Sequence, residues 1–456
     1  MSTQPRPLSP VHRDVRGVPV STPDAATVEQ LEHAVLGLVG HRADTAQRLQ
    51  RALASDPGLI PALCMQGFAY KCLARRDFES AAWSSMHAAR ESLAARGGSE
   101  RERGLVLALE RWCLGDPVAA AGALSNTLAE HPRDLLAFKM HHAINFILGR
   151  SELMRDASER AVRAFDAQTP GHGYVLGCHA FSLEETGDLA GAERVGRRAV
   201  EREPRDAWGA HAVAHVLETQ DRSLEGLSFM DAVAGPLAGC NNFDGHLAWH
   251  RSLFLVQLGR LDEALALYDA RIAIYLGRDY RDLCNATSLL FRVERAGLTV
   301  GDRWERLAEL ARARMGDHGL AFADAHYVMA LAGAGDTGTA ARFIASMRLR
   351  GRQPDHAARV TAEIGVPVAE GILALAERRA RDATRALLPL GRSLQRLGGS
   401  NAQRDIFALV LLEAALRGDD TQLAESLLSQ RLRARPKNSW ALSRLARLPT
   451  RQGRAA

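Results

Sequence analysis

Histidine is the residue type whose spacing most directly suggests chemistry. His211 and His215 stand at i and i+4, with Glu218 three residues further on, and His246 and His250 repeat the i, i+4 spacing. On a helix, each pair shares one face. An imidazole moves a proton near neutral pH, or ligates a metal through a neutral ring nitrogen. The first chemistry makes His215 a base oriented or charged by Glu218, with His250 and His326 as acids or anion donors. Elimination, cyclisation or isomerisation of a small organic substrate would need that set. The second chemistry is metal ligation, because two histidines at i, i+4 can chelate. The segment His211-Ala-Val-Ala-His215 lacks the internal Glu of an H-E-x-x-H zinc helix. The acid–base reading therefore assigns no metal ligand and expects no cofactor, with a His-ligated metalloenzyme as a further alternative. No phosphate loop, dinucleotide fingerprint or nucleophile elbow is written in the chain.

Other residues fall in step with these. His250 lies nine residues before Gly259, Ser288 nine before Gly297 and His326 nine before Gly335. Three successive helices thus offer His, Ser and His at one structural position. Asn285 and Asp324 stand on the same helices, Asp324 as a supporting or capping partner. Trp208, Trp249 and Tyr174, with Phe243, would wall a pocket, and His211 and His246 would contact the substrate. Arg404 would hold an anionic group only if the chain curled back on itself. The isolated His12, His33, His41, His87, His131 and His356 read as surface or satisfied groups. His141, His142 and His172 read the same way. The basic runs at 376–382 and 431–437 read as solvated faces.

Apolar residues recur at helical spacing almost throughout, without β-type alternation. Breakers recur in phase: Gly115, Gly149, Gly187, Asp221, Gly259, Gly297 and Gly335 are separated by 34, 38, 34, 38, 38 and 38 residues. The clearest unit is Tyr174–Glu203: helix YVLGCHAFSLEET, turn Gly187-Asp188, helix LAGAERVGRRAVERE, then Pro204. A helix–turn–helix unit near that period is the tetratricopeptide signature. One such unit cannot bury its own apolar face, so neighbours must stack. The expected fold is all-α, a tetratricopeptide-like α-solenoid with A helices inside. Its hairpins fall near 24–55, 58–95, 99–130, 134–168, 174–203, 206–234, 244–276, 280–315, 319–347, 358–396 and 401–434, with a closing helix near 438–446. Residues 1–22 read as a flexible arm, 23–450 as a single solenoid and 451–456 as a tail. The most loop-like interruptions are 235–244 and 348–357.

Lys+Arg 58 against Asp+Glu 53 leaves only +5, too little to imply nucleic acid or an anionic membrane. The six cysteines form no C-x-x-C pair, and the start of the chain has no apolar signal region. A cytoplasmic protein follows on the usual redox logic. The expected partner is a small molecule, with a protein- or peptide-binding scaffold as the alternative.

The stretch YVLGCHAFSLEETGDLAGAERVGRRAVEREPRDAWGAHAVAHVLETQDRSLEG resembles the tetratricopeptide repeat protein 38 family. So do HLAWHRSLFLVQLGRLDEALALYD, FADAHYVMALAGAGD and GGSNAQRDIFALVLLEAAL. The resemblance spans roughly residues 25–450 and implies a cytosolic α-solenoid. Its pattern carries His211, His215, Glu218, His246, His250, Asp324, His326 and Gln403-Arg404-Asp405, all present here. This chain departs at Leu247-Ala248, where the family reads Asn-Trp. It also has Asn285 where the family has Asp, and Asn401 where it has His.

Overall fold

In the computed structural model, residues 10–448 are described. The phased breakers set the local structure. Gly115, Gly149, Gly187, Gly259, Gly297 and Gly335 all take positive φ, between 66° and 108°, and Asp221 takes 56° in the same role. Each closes a first helix in a left-handed residue, a conformation that glycine adopts without a Cβ penalty. In the Gly-Asp pairs the aspartate then caps the next helix. Asp116, Asp188 and Asp336 accept from the backbone N–H three residues on. One dipeptide thus ends one helix and starts the next.

The helices are α1 (Ala26–Val39), α2 (Thr45–Ser55), α3 (Ile60–Cys72), α4 (Glu79–Arg96), α5 (Glu100–Cys113), α6 (Pro117–Glu130), α7 (Leu135–Ile147) and α8 (Ser151–Ala164). Then come α9 (His172–Glu185), α10 (Leu189–Arg202), α11 (Ala207–Thr219), α12 (Ser223–Ala234), α13 (Phe243–Gln257), α14 (Leu261–Leu267), α15 (Tyr280–Ala296) and α16 (Arg303–Ala313). The last are α17 (Ala321–Gly333), α18 (Thr337–Arg350), α19 (His356–Val360), α20 (Val366–Ala376), α21 (Ala380–Leu387), α22 (Asn401–Arg417), α23 (Thr421–Ala434) and α24 (Ser439–Ala446). The fold is all-α and tetratricopeptide-like, built of antiparallel pairs that pack on their chain neighbours. Plain α-helix gives way to a π-helical turn at Tyr268–Ile272 and another at Thr361–Gly365, to short tight-helical turns at Arg76–Phe78 and Ala273–Tyr275, and to a tight-helical run at Leu388–Leu397 broken at Gly391.

The chain divides into two compact units. The first holds residues up to 213 together with 233–243; the second holds 214–232 and 244 onward. In the first, Ala192 and Ala199 are fully buried and let α9 and α10 approach closely, whereas Ala190 is exposed. The segment before α1 is not a free arm from residue 10 on. Val11–Arg13 pairs antiparallel with Pro19–Ser21. Arg16 binds Glu32 and Asp14, Ser21 binds Glu102, and Thr22 binds Asp56. Those polar anchors have no signature in a proline-rich lead. Residues 1–9 and the expected tail at 451–456 lie outside the described residues. The loop at 235–242 is also tied down, by Ala43 N–H to Gly239 O at 3.0 Å and Asn241 N–H to His41 O at 2.7 Å. No helix among the described residues is long and apolar enough to cross a membrane.

Candidate functional site

The second unit gathers three imidazoles. His215 comes from α11, and His246 and His250 come from successive turns of α13. The His215 and His250 rings lie 4.5 Å apart, and those of His246 and His250 lie 4.8 Å apart. Each of the three has a ring nitrogen within 4.8 Å of the others. All three residues are buried, His215 and His250 completely. Helix α15 supports them from the side. His246 Nδ1–H donates to Asn285 Oδ1 at 3.2 Å, which makes Nε2 its lone-pair nitrogen. Trp249 stacks on His246 at 5.3 Å and 14°, and its Nε1–H donates to Ser288 Oγ at 3.0 Å. The phased Ser288 therefore holds an indole in place.

Burial dominates the protonation of His246 and His250. Desolvation, then the charge of His215, pushes His246 down to about 3. The same causes in the same order hold His250 well below the ordinary histidine range. His246 and His250 are therefore neutral at physiological pH.

Several expected site residues take other roles. The Glu218 carboxylate lies on α11 below His215, but its partner is Arg435, which grips it with two bonds, Nη2 to Oε2 at 2.9 Å. That arginine belongs to the run 431–437, expected to be a solvated face. Instead Arg431 clamps Asp405 at 2.6 and 3.0 Å, and Asn438 reaches Gln257 at 3.2 Å. The chain does curl back, but through α23 and α24 and not through Arg404. Arg404 turns onto its own helix start, on Gly399 O and Asn401 Oδ1. His326 is buried between Phe322 and Phe407, and its Nδ1–H donates to Phe322 O at 2.8 Å. Burial lowers it to about 4. Asp324 pairs with His318 at 3.1 Å, a histidine with no helical phase to mark it. Burial raises the Asp324 carboxyl.

The first unit holds the remaining expected residues. Trp208 and His211 sit in an aromatic cluster: their rings are 4.9 Å apart, Phe181 stacks on His211 at 5.2 Å, and Phe243 lies 5.5 Å from Trp208. His41, expected to be a surface or satisfied group with no part in a site, stacks on Trp208 at an interplanar angle of 5° and on Phe243 at 4.5 Å. Lys139 lies over the Trp208 ring at 4.4 Å. Tyr174 is buried against Gly40, where an added Cβ would stand 3.0 Å from its hydroxyl. Asp206, which precedes α11, is fully buried. Its Oδ1 accepts from Trp208 N–H at 3.1 Å, and its Oδ2 has no partner among the described residues. Burial raises it to about 7.

The helix pairs, their glycine and aspartate punctuation and their stacking define a tetratricopeptide-like helical-repeat protein. No family model matches the chain. Among solved structures it is similar to the crystal structure of yeast Tom70, at 15% identity over 91% of this chain and 86% of that one, with a TM-score of 0.38. So distant a likeness carries no argument about function.

Proposed function

We propose that His215, His246 and His250 bind a divalent transition metal, and that this centre serves a small organic substrate held in the second unit. The observation that carries the reading is the convergence of three buried imidazoles from two helices. Burying polar rings without a use for them costs free energy, and a helix stack needs only apolar side chains there. Three-histidine sets with one open position suit zinc or iron, and imidazole also suits copper and nickel. A tetrahedral zinc with bonds of about 2.0–2.1 Å holds its nitrogens roughly 3.3 Å apart. The present separations of up to 4.8 Å therefore require closure by about 1.5 Å, within reach of ring rotation. Asn285 supports the reading by fixing the His246 tautomer, as an outer partner of a ligand does. The metal, when bound, would activate a water or polarise a carbonyl.

The metal-free acid–base alternative uses the same residues but has weaker support. A base near pKa 3, such as His246, accepts protons poorly at neutral pH. Glu218 is engaged by Arg435 rather than His215. The resemblance to the tetratricopeptide repeat protein 38 family and a cytoplasmic location belong to this proposal too. The scaffold alternative needs no metal, and one experiment separates the two. Protein purified without chelator is assayed for zinc, iron, copper, nickel and manganese, then titrated with Co²⁺ by absorption. About one equivalent of metal, lost in the His215→Ala/His250→Ala variant with helical content intact, is the expected result. No bound metal and no Co²⁺ spectrum in the wild type would refute the proposal.

A further inference from the structure

One helical turn along from the imidazoles, the second unit carries a half-open cavity of about 260 Å³. Leu253 follows His250 by three residues, and Glu218 follows His215 by three, a rise of about 4.5 Å. Four arginines line this cavity, Arg292, Arg295, Arg431 and Arg435, against three carboxylates, Glu218, Asp405 and Glu413. Four minus three leaves one positive charge over.

That surplus falls on Arg292. It is buried, and the only carboxylate within ion-pair distance of it among the described residues is Asp405, at 3.6 Å. Asp405 is already clamped by Arg431. The Arg292 N–H groups make do with Ser288 O and Ala402 O, both at 3.2 Å. Burial lowers its guanidinium to about 10, despite Asp405 and Glu218 nearby. A buried cation with so little compensation is costly unless a counter-charge arrives.

The hydrogen-bond inventory points the same way. Arg295 Nε, Arg431 Nε and Trp440 Nε1 are buried donors with no acceptor among the described residues, and all three residues line the cavity. Buried donors are normally satisfied. Between the charged groups the wall is apolar: Leu253, Val256 and Leu409.

We infer that this cavity is a subsite for a small organic anion, a carboxylate or phosphate group carried on a compact apolar body. The anion takes the unmatched donors and neutralises Arg292, and the apolar body lies on the leucines and valine. The volume equals that of about nine waters, so the ligand has on the order of ten non-hydrogen atoms. The inference goes beyond the metal centre and stands without it, so it is tested on metal-free protein.

The experiment is calorimetric titration of the full chain, stripped with chelator and dialysed, with phenylacetate, phenyl phosphate and neutral phenylacetamide. We expect one-to-one binding of at least one anion, tenfold or more tighter than the amide. The tighter anion identifies the preferred head group. Trp440→Phe keeps an aromatic ring and removes one donor, and is expected to weaken the anion several-fold and leave the amide unchanged. Arg292→Lys, if its helical signal is intact, is expected to weaken the anion more. Three results would overturn the inference: equal affinity for anion and amide, no saturable binding of either anion up to about 10 mM, or unchanged anion affinity in both folded variants.

Discussion

Replacing Arg435 with Met tests whether the C-terminal helices are held by charge. The guanidinium and the Glu218 carboxylate expose only 11% and 12% of their side chains, so solvent screens them little. Removing one member takes from Glu218 its two-bond partner and leaves it only the more distant charge of Arg292, which costs up to about 3–5 kcal/mol for a pair of this kind. The loss does not unfold a stack in which each helix leans on its neighbours. It falls on the docking of α23 and α24. Their exposed link to α22 is the turn at Gly418–Asp420, where Asp419 takes a φ of 57°. Where undocking precedes cleavage, that cost raises the rate of proteolysis on the order of 10²- to 10³-fold. The assay is limited trypsin digestion under native conditions, with the site of first cleavage mapped by mass spectrometry. Glu218→Gln/Arg435→Met should recover most of the protection, because no carboxylate is then left without its partner. Cleavage of Arg435→Met at the wild-type rate would refute the reasoning, as would a double variant as labile as the single one.

Asp206 has a folded pKa of about 7, above its unfolded value, so the stability it contributes is present below about pH 4 and is lost as pH rises through 7. Asp206→Asn should therefore gain stability relative to wild type between pH 5 and pH 8, by up to about 4 kcal/mol. Parallel melting-versus-pH curves for the two proteins would contradict this. Asn285→Asp places a carboxylate behind His246, which makes the imidazole a better donor, and should tighten metal binding about tenfold. Competitive titration with a metal indicator measures it, and an unchanged affinity would exclude Asn285 as a ligand partner.

The architecture was legible because its cause is local. A left-handed glycine followed by a capping aspartate is written in two letters at Gly115, Gly187 and Gly335, and the 34 to 38 residue step sets a left-handed residue at each turn between them. The i, i+4 histidine pairs were legible for the same reason, since helix geometry alone places each pair on one face. What escaped was long-range. His41 and Lys139 carry no period, and only the packing brings them onto Trp208; His318 lies six residues before Asp324 but outside its helix, so no helical spacing marks the pair. The run at 431–437 has the composition of a solvated face. Nothing within it shows that Asp405 and Glu218, 26 and 217 residues away, wait for Arg431 and Arg435. Arg404 is of a type that suits an anion, but a helix start in the same sequence claims it first.

The clasp between α11 and the end of the chain gives the cavity a birth date. Glu218 and Arg435 are separated by 217 residues, and a ribosome adds about 5–20 residues each second. Glu218 is therefore made roughly 10 to 40 seconds before the arginine that covers it. During that interval the earlier helix pairs can pack one upon another, but Arg431, Arg435 and Trp440 do not yet exist. A nascent or prematurely stopped chain that ends before Thr421 would hold its helices and lack the pocket's last wall. The anion binding inferred above, unlike the helical signal, would therefore await the synthesis of α23 and α24.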